Sequence, residues 1–253
     1  MNKSASLRRI LFATSSAVAL IAVHAGPAHA ACQVGTTSGI NNSNNNPAAA
    51  TITCLLFNNI TVNTNALNAG NITPGSPFGV KVNGGTFNGS IINTGTISTS
   101  AGGGSANGIW VFGAVLTGGI NNSGIILAPS GAGGILISNV TSSVGGGITN
   151  AGTITSTQGQ GIQFFTVSTF TGGITNTGTI TSHSSSIRVR SVSSFSGGNS
   201  GTMVVGKTGI LVGSSPTKLV SFFAGGITNS GIITAYGATG NGIVVDVSTF
   251  AGG

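Results

Sequence analysis

Few residues in this chain could do chemistry. Its 253 residues include one acid, Asp246, two cysteines, Cys32 and Cys54, and three histidines, of which only His183 lies beyond residue 30. Glycoside hydrolysis needs paired carboxylates, and hard-metal sites need several oxygen ligands. One aspartate supplies neither. The segment Gly198-Asn199-Ser200-Gly201 resembles the turn that presents a serine nucleophile, which needs a histidine base and an acid to orient it. His183 and Asp246 are the only candidates, Asp246 falls about two repeats away, and Asn199 and Gly201 belong to the repeat described below. No glycine motif has the spacing of a phosphate cradle, and no aspartate recurs as calcium-binding repeats require. The sequence predicts no enzyme, no metal and no cofactor.

The sequence pI is about 10.6, but it reflects missing acids. Lys3, Arg8 and Arg9 crowd the first nine positions, leaving Lys81, Arg188, Arg190, Lys207 and Lys218 spread thinly over the rest. Binding to phosphate backbones needs clustered bases, so no nucleic-acid partner is expected. Low charge with 39% hydrophobic residues also argues against disorder, which couples low hydrophobicity to high net charge.

The first thirty residues read as an export signal. Lys3, Arg8 and Arg9 precede an apolar run from Ile10 to Val23, followed by Ala28-His29-Ala30 as a small-x-small cleavage site. The run is short of a membrane-spanning helix. An exported chain with two cysteines predicts the disulfide Cys32–Cys54, worth roughly 3 kcal/mol in the chain-entropy model.

The positioning elements are repeats. GGINNSGII at Gly118 returns as GGITNAGTI at Gly146, GGITNTGTI at Gly172 and GGITNSGII at Gly225, with an earlier GSIINTGTI at Gly89 and a shortened copy at Gly197. The period is 25–29 residues. A second motif reads GVKV at Gly79, GIWV at Gly108, GILI at Gly134, GIQF at Gly161, SIRV at Ser186, GILV at Gly209 and GIVV at Gly242. Its second and fourth positions are apolar in every copy, and its third accepts anything. That is the period-2 mark of a strand with one buried face. An apolar residue follows at Phe87, Leu116, Val144, Phe170, Phe195, Phe223 and Phe250.

Like strands at a fixed interval predict an all-β chain: a right-handed parallel β-helix of about seven coils, roughly 34 Å long at the usual strand spacing. The glycines are expected at corners that need positive φ. Asn93, Asn122, Asn150, Asn176, Asn199 and Asn229 fall in phase with the buried isoleucines. A lone buried amide is costly, so these six are expected to bond along the axis as a structural ladder, as stacked amides do elsewhere.

The outward positions hold the candidate binding surface: Trp110, Phe112 and Phe165, with Arg188 and Arg190 alternating against Ile187 and Val189. Exposed aromatics can mark a contact surface, and the arginines would suit an anionic glycan. Thr175, Thr177, Thr179 and Thr181, with Thr149, Thr153 and Thr155 on the coil below, are expected on one face, like the flat arrays of ice-binding solenoids. Ile125, Leu127, Ala151 and Ile232 interrupt that array.

Three segments result: a signal peptide over 1–30, a loop-rich cap over 31–78 that carries the disulfide, and β-helix repeats over 79–253. The GGITNxGxI and GIxVxxVSTFxGG units resemble the passenger region of bacterial autotransporters, the type V secreted proteins of Gram-negative bacteria, across essentially all of 31–253. The resemblance implies export to the periplasm, cell surface or medium, and a non-enzymatic, adhesin-like rod whose partner is a surface glycan or host-matrix ligand. It also implies outer-membrane passage through a C-terminal barrel, which this chain does not contain. The last residues, Ser248 to Gly253, stop in mid-repeat, which is expected of a truncated reading frame or a passenger fragment, with self-association through the open terminal coil. The alternative expectation is a stand-alone secreted glycan- or ice-binding β-solenoid.

Overall fold

The computed structural model describes residues 32–35, 44–73, 75–100, 106–129, 133–195, 198–199, 201–213, 220–223, 227 and 229–251. The expected signal peptide and Ser200 lie outside them. Among the described residues every regular element is a strand, and every strand pairing between turns is parallel, as in Ile91↔Ile120↔Ile148↔Ile174. The chain is a parallel β-solenoid of about seven turns.

Three sheets run the length of the rod. Sheet A carries the GIxV segments and the apolar segment that follows, which is a separate short strand in early turns, as at Thr86–Phe87 and Val115–Leu116; Gly133–Val144 and Gln160–Phe170 are single long strands covering both. Sheet B carries the ITN segments from Asn45–Asn46 to Gly198–Asn199. Sheet C carries the TIT-like segments from Thr51–Ile52 to Ile232–Ala235. Nine strands lie along the main path of sheet A, about 38 Å at the usual spacing.

The alternation read from the sequence sets the core. Leu55, Val80, Ile109, Ile135, Ile162, Ile187 and Ile210 stack in register and are each at most 2% exposed. Phe170, Phe195, Phe223 and Phe250 form a second column of near-parallel rings with centroids 5.1–5.7 Å apart. On the last described turn these columns lie uncovered, with Ile243 at 42% and Phe250 at 52% exposure.

The expected boundary at residue 79 is not where stacking begins. Gln33 pairs with Leu55, Leu55 with Val80, and Asn46 with Asn68, which pairs with Asn93. Two turns therefore precede the first recognised repeat. The missed copy is Ala66-Leu67-Asn68-Ala69-Gly70-Asn71-Ile72, the ITNxGxI motif with alanine for its first isoleucine and leucine for its threonine, and with asparagine where GGITNTGTI has its last threonine.

The glycine expectation holds in part: Gly84, Gly85, Gly113, Gly173 and Gly213 have φ between 61° and 78°. None of the described glycines in the GIxV or TNxG positions has positive φ. They are required by close approach instead. A Cβ at Gly95, Gly124, Gly152, Gly178 or Gly201 would strike the carbonyl oxygen of the glycine one turn before, and one at Gly79, Gly108, Gly134, Gly161 or Gly209 would strike Cγ2 of a sheet C isoleucine. The left-handed corner lies in mid-sheet A, at Asn59, Gly84, Gly113, Asn139, Thr166 and Ser191, with φ between 50° and 68°. Only two of those six are glycine. Asparagine enters that region more readily than most side chains, whereas Thr166 does so against its β-branch.

Candidate functional site

The buried ladder is the most ordered polar feature. Each amide Nδ2 donates to Oδ1 of the asparagine one turn further on: Asn46 to Asn68 at 2.6 Å, then Asn68 to Asn93, Asn93 to Asn122, Asn122 to Asn150 and Asn150 to Asn176, each at 2.7 Å. The second amide hydrogen serves main-chain carbonyls, as from Asn93 to Ile125 at 3.3 Å and from Asn122 to Thr153 at 3.4 Å. All six side chains are at most 1% exposed. Asn46 and Asn68 were not recognised in the sequence. Asn199 stays in backbone register with Asn176, but its side chain lies outside the description. Asn229 departs from expectation: it is exposed and its Nδ2 donates to its own Gly231 carbonyl at 3.2 Å. No described residue stacks beyond it to bury it.

Every donor in the ladder points the same way, so its first member is left with a buried acceptor. Asn46 Oδ1 is buried and has no hydrogen-bond partner among the described residues. On either side of Asn46 in the chain, Cys32 and Cys54 are disulfide-bonded with Cα atoms 4.5 Å apart. Cys54 is fully buried, and its carbonyl accepts from the Gln33 N–H at 2.8 Å. The bond ties the edge strand Gln33–Val34 to the next turn.

The outward residues sort into two groups on sheet A. One column runs Lys81, Trp110, Leu136, Gln163, Arg188, Leu211; the next runs Asn83, Phe112, Ser138, Phe165, Arg190. The first group centres on Trp110. Lys81 Nζ lies 4.0 Å from its ring centroid and 5.5 Å from that of Phe78. Phe112 meets the indole edge-on at 5.6 Å, and the indole Nε1–H donates to Ser138 Oγ at 3.1 Å. The second group sets Arg190 over Phe165 at 5.7 Å, with Arg188 beside it. Three strand spacings, about 14 Å, separate Trp110 from Arg188.

All five expected residues are half-buried rather than solvated. Burial pulls the Lys81 ammonium below its ordinary value. Burial also lowers the Arg188 guanidinium, and the neighbouring Arg190 charge adds to the shift. The chain's one acid, Asp246, is exposed. The strip can offer ring faces to an apolar surface and guanidinium donors to anions. Lys81 and Phe78 were missed as members, although Lys81 stands in the variable third position of GVKV.

The threonines do not share one face. Thr149 and Thr175 pair on sheet B, whereas Thr153, Thr155, Thr179 and Thr181 pair on sheet C. On sheet C, Ile125 and Leu127 stand exposed in the same columns. A 25–29-residue turn bends between Thr175 and Thr179, which strand alternation alone does not reveal.

Among the described residues, no group of three or more histidine, cysteine, aspartate or glutamate side chains gathers to hold a metal. No described helix is long and apolar enough to cross a membrane, which says nothing of strands. Comparison with protein-family models, curated proteins and solved structures finds no match to this chain.

Proposed function

We propose that this chain is a non-enzymatic, exported β-solenoid rod of the autotransporter-passenger type, acting at or beyond the outer membrane of a Gram-negative bacterium as an adhesin-like surface. The observation that carries this reading is the strip on sheet A, where Lys81, Trp110, Phe112, Phe165, Arg188 and Arg190 occupy two adjacent outward columns along the rod axis. A rigid stack holds such side chains at fixed spacing without ordering a loop, so binding loses little conformational entropy. Two arginines with aromatic neighbours favour an extended anionic glycan over a neutral one.

The test is binding of the purified full chain to immobilised uronate-containing and sulfated glycans and to matrix proteins, with Trp110→Ala and Arg190→Gln alongside. Saturable binding that falls about tenfold in each variant supports the reading, one lost charge-assisted contact being worth about that much. Binding to none of these surfaces, or turnover of any glycan offered, overturns it.

A further inference from the structure

A cleft of about 340 Å³ opens on the outer side of sheet B, lined by Asn44, Asn45, Thr64, Asn65, Leu67 and Ile92. These residues come from three successive turns, and Leu67 pairs with both Asn45 and Ile92. The cleft lies among the early turns that the sequence repeat did not disclose. Its floor is unusual. The outward column that reads Leu67 and Ile92 here continues as Asn121, Thr149 and Thr175. The aliphatic stretch is confined to the cleft.

Its walls are amides held by their oxygens. Asn45 Oδ1 accepts from the Leu67 N–H at 3.2 Å, and Asn65 Oδ1 accepts from the Ser90 N–H at 2.8 Å. Each anchored carbonyl fixes the direction of its own Nδ2, and neither NH₂ has an acceptor among the described residues. Thr64 Oγ1 takes a hydrogen from Asn44 Nδ2 at 3.0 Å, leaving its own proton to donate. The result is a set of oriented neutral donors above an aliphatic floor, with no charged side chain in the lining. Without a cation nearby, such donors suit uncharged oxygen acceptors better than anions.

We propose that this cleft binds one hexose-sized unit of a neutral glycan. The amides and Thr64 would donate to ring hydroxyls while the apolar ring face lies on Leu67 and Ile92. The volume matches a small-ligand site, and a few convergent polar groups over an apolar floor is the usual make-up of one. The site is separate from the strip on sheet A and does not depend on it.

The test is titration of the full chain with maltotriose, cellotriose, triacetylchitotriose and galactotriose, and with trigalacturonate as the charged comparator, by calorimetry and ligand-observed NMR. Asn65→Asp keeps the oxygen that holds the Ser90 N–H but removes the donor. Thr64→Val changes an exposed side chain and removes the second donor. Trp110→Ala probes the other sheet. Saturable binding of at least one neutral trisaccharide is expected, weakened about tenfold by each cleft variant and unchanged by Trp110→Ala. The proposal is overturned if no neutral sugar saturates, if only trigalacturonate binds, or if binding ignores Asn65→Asp and Thr64→Val while following Trp110→Ala.

Discussion

Asn122→Ala cuts the buried ladder at its middle. The side chain accepts from Asn93 Nδ2 and donates to Asn150 Oδ1, both at 2.7 Å, and it also reaches the Gly124 and Thr153 carbonyls at 3.3 and 3.4 Å. The substitution removes two ladder bonds, each worth about 1 kcal/mol net. It also leaves Asn150 Oδ1 buried without a donor, a further penalty of about 1–3 kcal/mol. Asn93 Nδ2 keeps its bond to the Ile125 carbonyl, so its loss is partial. The expected destabilisation is about 3–5 kcal/mol.

The comparison that isolates the mechanism is Asn46→Ala, at the ladder's first position. That side chain donates to Asn68 Oδ1 and to the Asn71 carbonyl, but accepts from no described residue. Removing it orphans one acceptor and deletes another that was already unsatisfied. One fewer ladder bond is lost and an unsatisfied acceptor is removed, so Asn46→Ala is expected to cost about 2–4 kcal/mol less than Asn122→Ala. Equilibrium urea unfolding followed by circular dichroism measures both. In a solenoid each turn contacts only its neighbours, so Asn122→Ala is also expected to lower the m-value as the two halves uncouple. Equal costs for the two substitutions, or a cost below about 1 kcal/mol at Asn122, would refute the directional ladder as a source of stability.

Three further outcomes follow from the same geometry. Gly124→Ala drives a Cβ into the Gly95 carbonyl of the previous turn and is expected to cost more than the roughly 1 kcal/mol that alanine gains over glycine in ordinary positions; a neutral or raised Tm would show that the turns can separate at that corner. Burial lowers the Lys81 pKa in the folded chain, so on raising pH the folded state releases that proton before the unfolded state does. Stability contributed by this group therefore rises with pH up to the unfolded value of 10.5, and Lys81→Met should flatten the alkaline part of the stability profile measured by denaturant unfolding; an unchanged slope refutes it. Reducing Cys32–Cys54 should cost roughly 3 kcal/mol, with faster amide hydrogen exchange at Gln33 and Gly35, whose N–H groups bond to the Cys54 and Leu56 carbonyls, and in the adjoining turns up to residue 73, and none in the strand Gln160–Phe170; uniform loss of protection along the rod would contradict nearest-neighbour stability.

The legible part of this chain is the part that stacking dictates. A position that faces inward meets its own equivalent one turn above and below, so the same residue type must recur there, and Ile109, Ile135 and Ile162 or Asn122, Asn150 and Asn176 announce themselves. The early turns escaped because Ala66 and Asn71 replace the usual isoleucine and threonine of the motif, although Asn68, Gly70 and Ile72 remained in place. The left-handed corner escaped for a different reason. Asn59, Gly113, Thr166 and Ser191 share a backbone conformation, not a side chain, and a column of mixed types leaves no visible repeat. Positive φ explains Gly173 of the Gly-Gly corner, whereas the GIxV and TNxG glycines were found for a different cause, because φ and close approach select the same residue.

Outward positions obey no such constraint, and that is why they can carry function. Stacking asks nothing of the third residue of GIxV, so Lys81, Trp110, Gln163 and Arg188 can differ freely while the rod stays intact. The sequence could name Trp110, Phe112, Phe165, Arg188 and Arg190 as outward, yet it could not say that Lys81 lies over the indole, since that contact joins residues 29 positions apart through register alone. The cleft on sheet B was harder still. Asn45 and Asn65 belong to two different turns, lie near corners rather than at ladder positions, and look like loop polarity in the sequence. What distinguishes them is that each amide oxygen is held by a main-chain N–H. The anchors differ in kind: the Ser90 N–H lies just before its strand, whereas the Leu67 N–H lies inside sheet B and is shared with the Asn44 carbonyl at 3.2 Å. Recognition on this fold is then set by which outward residues happen to sit beside those groups, which is a property of register and not of the repeat.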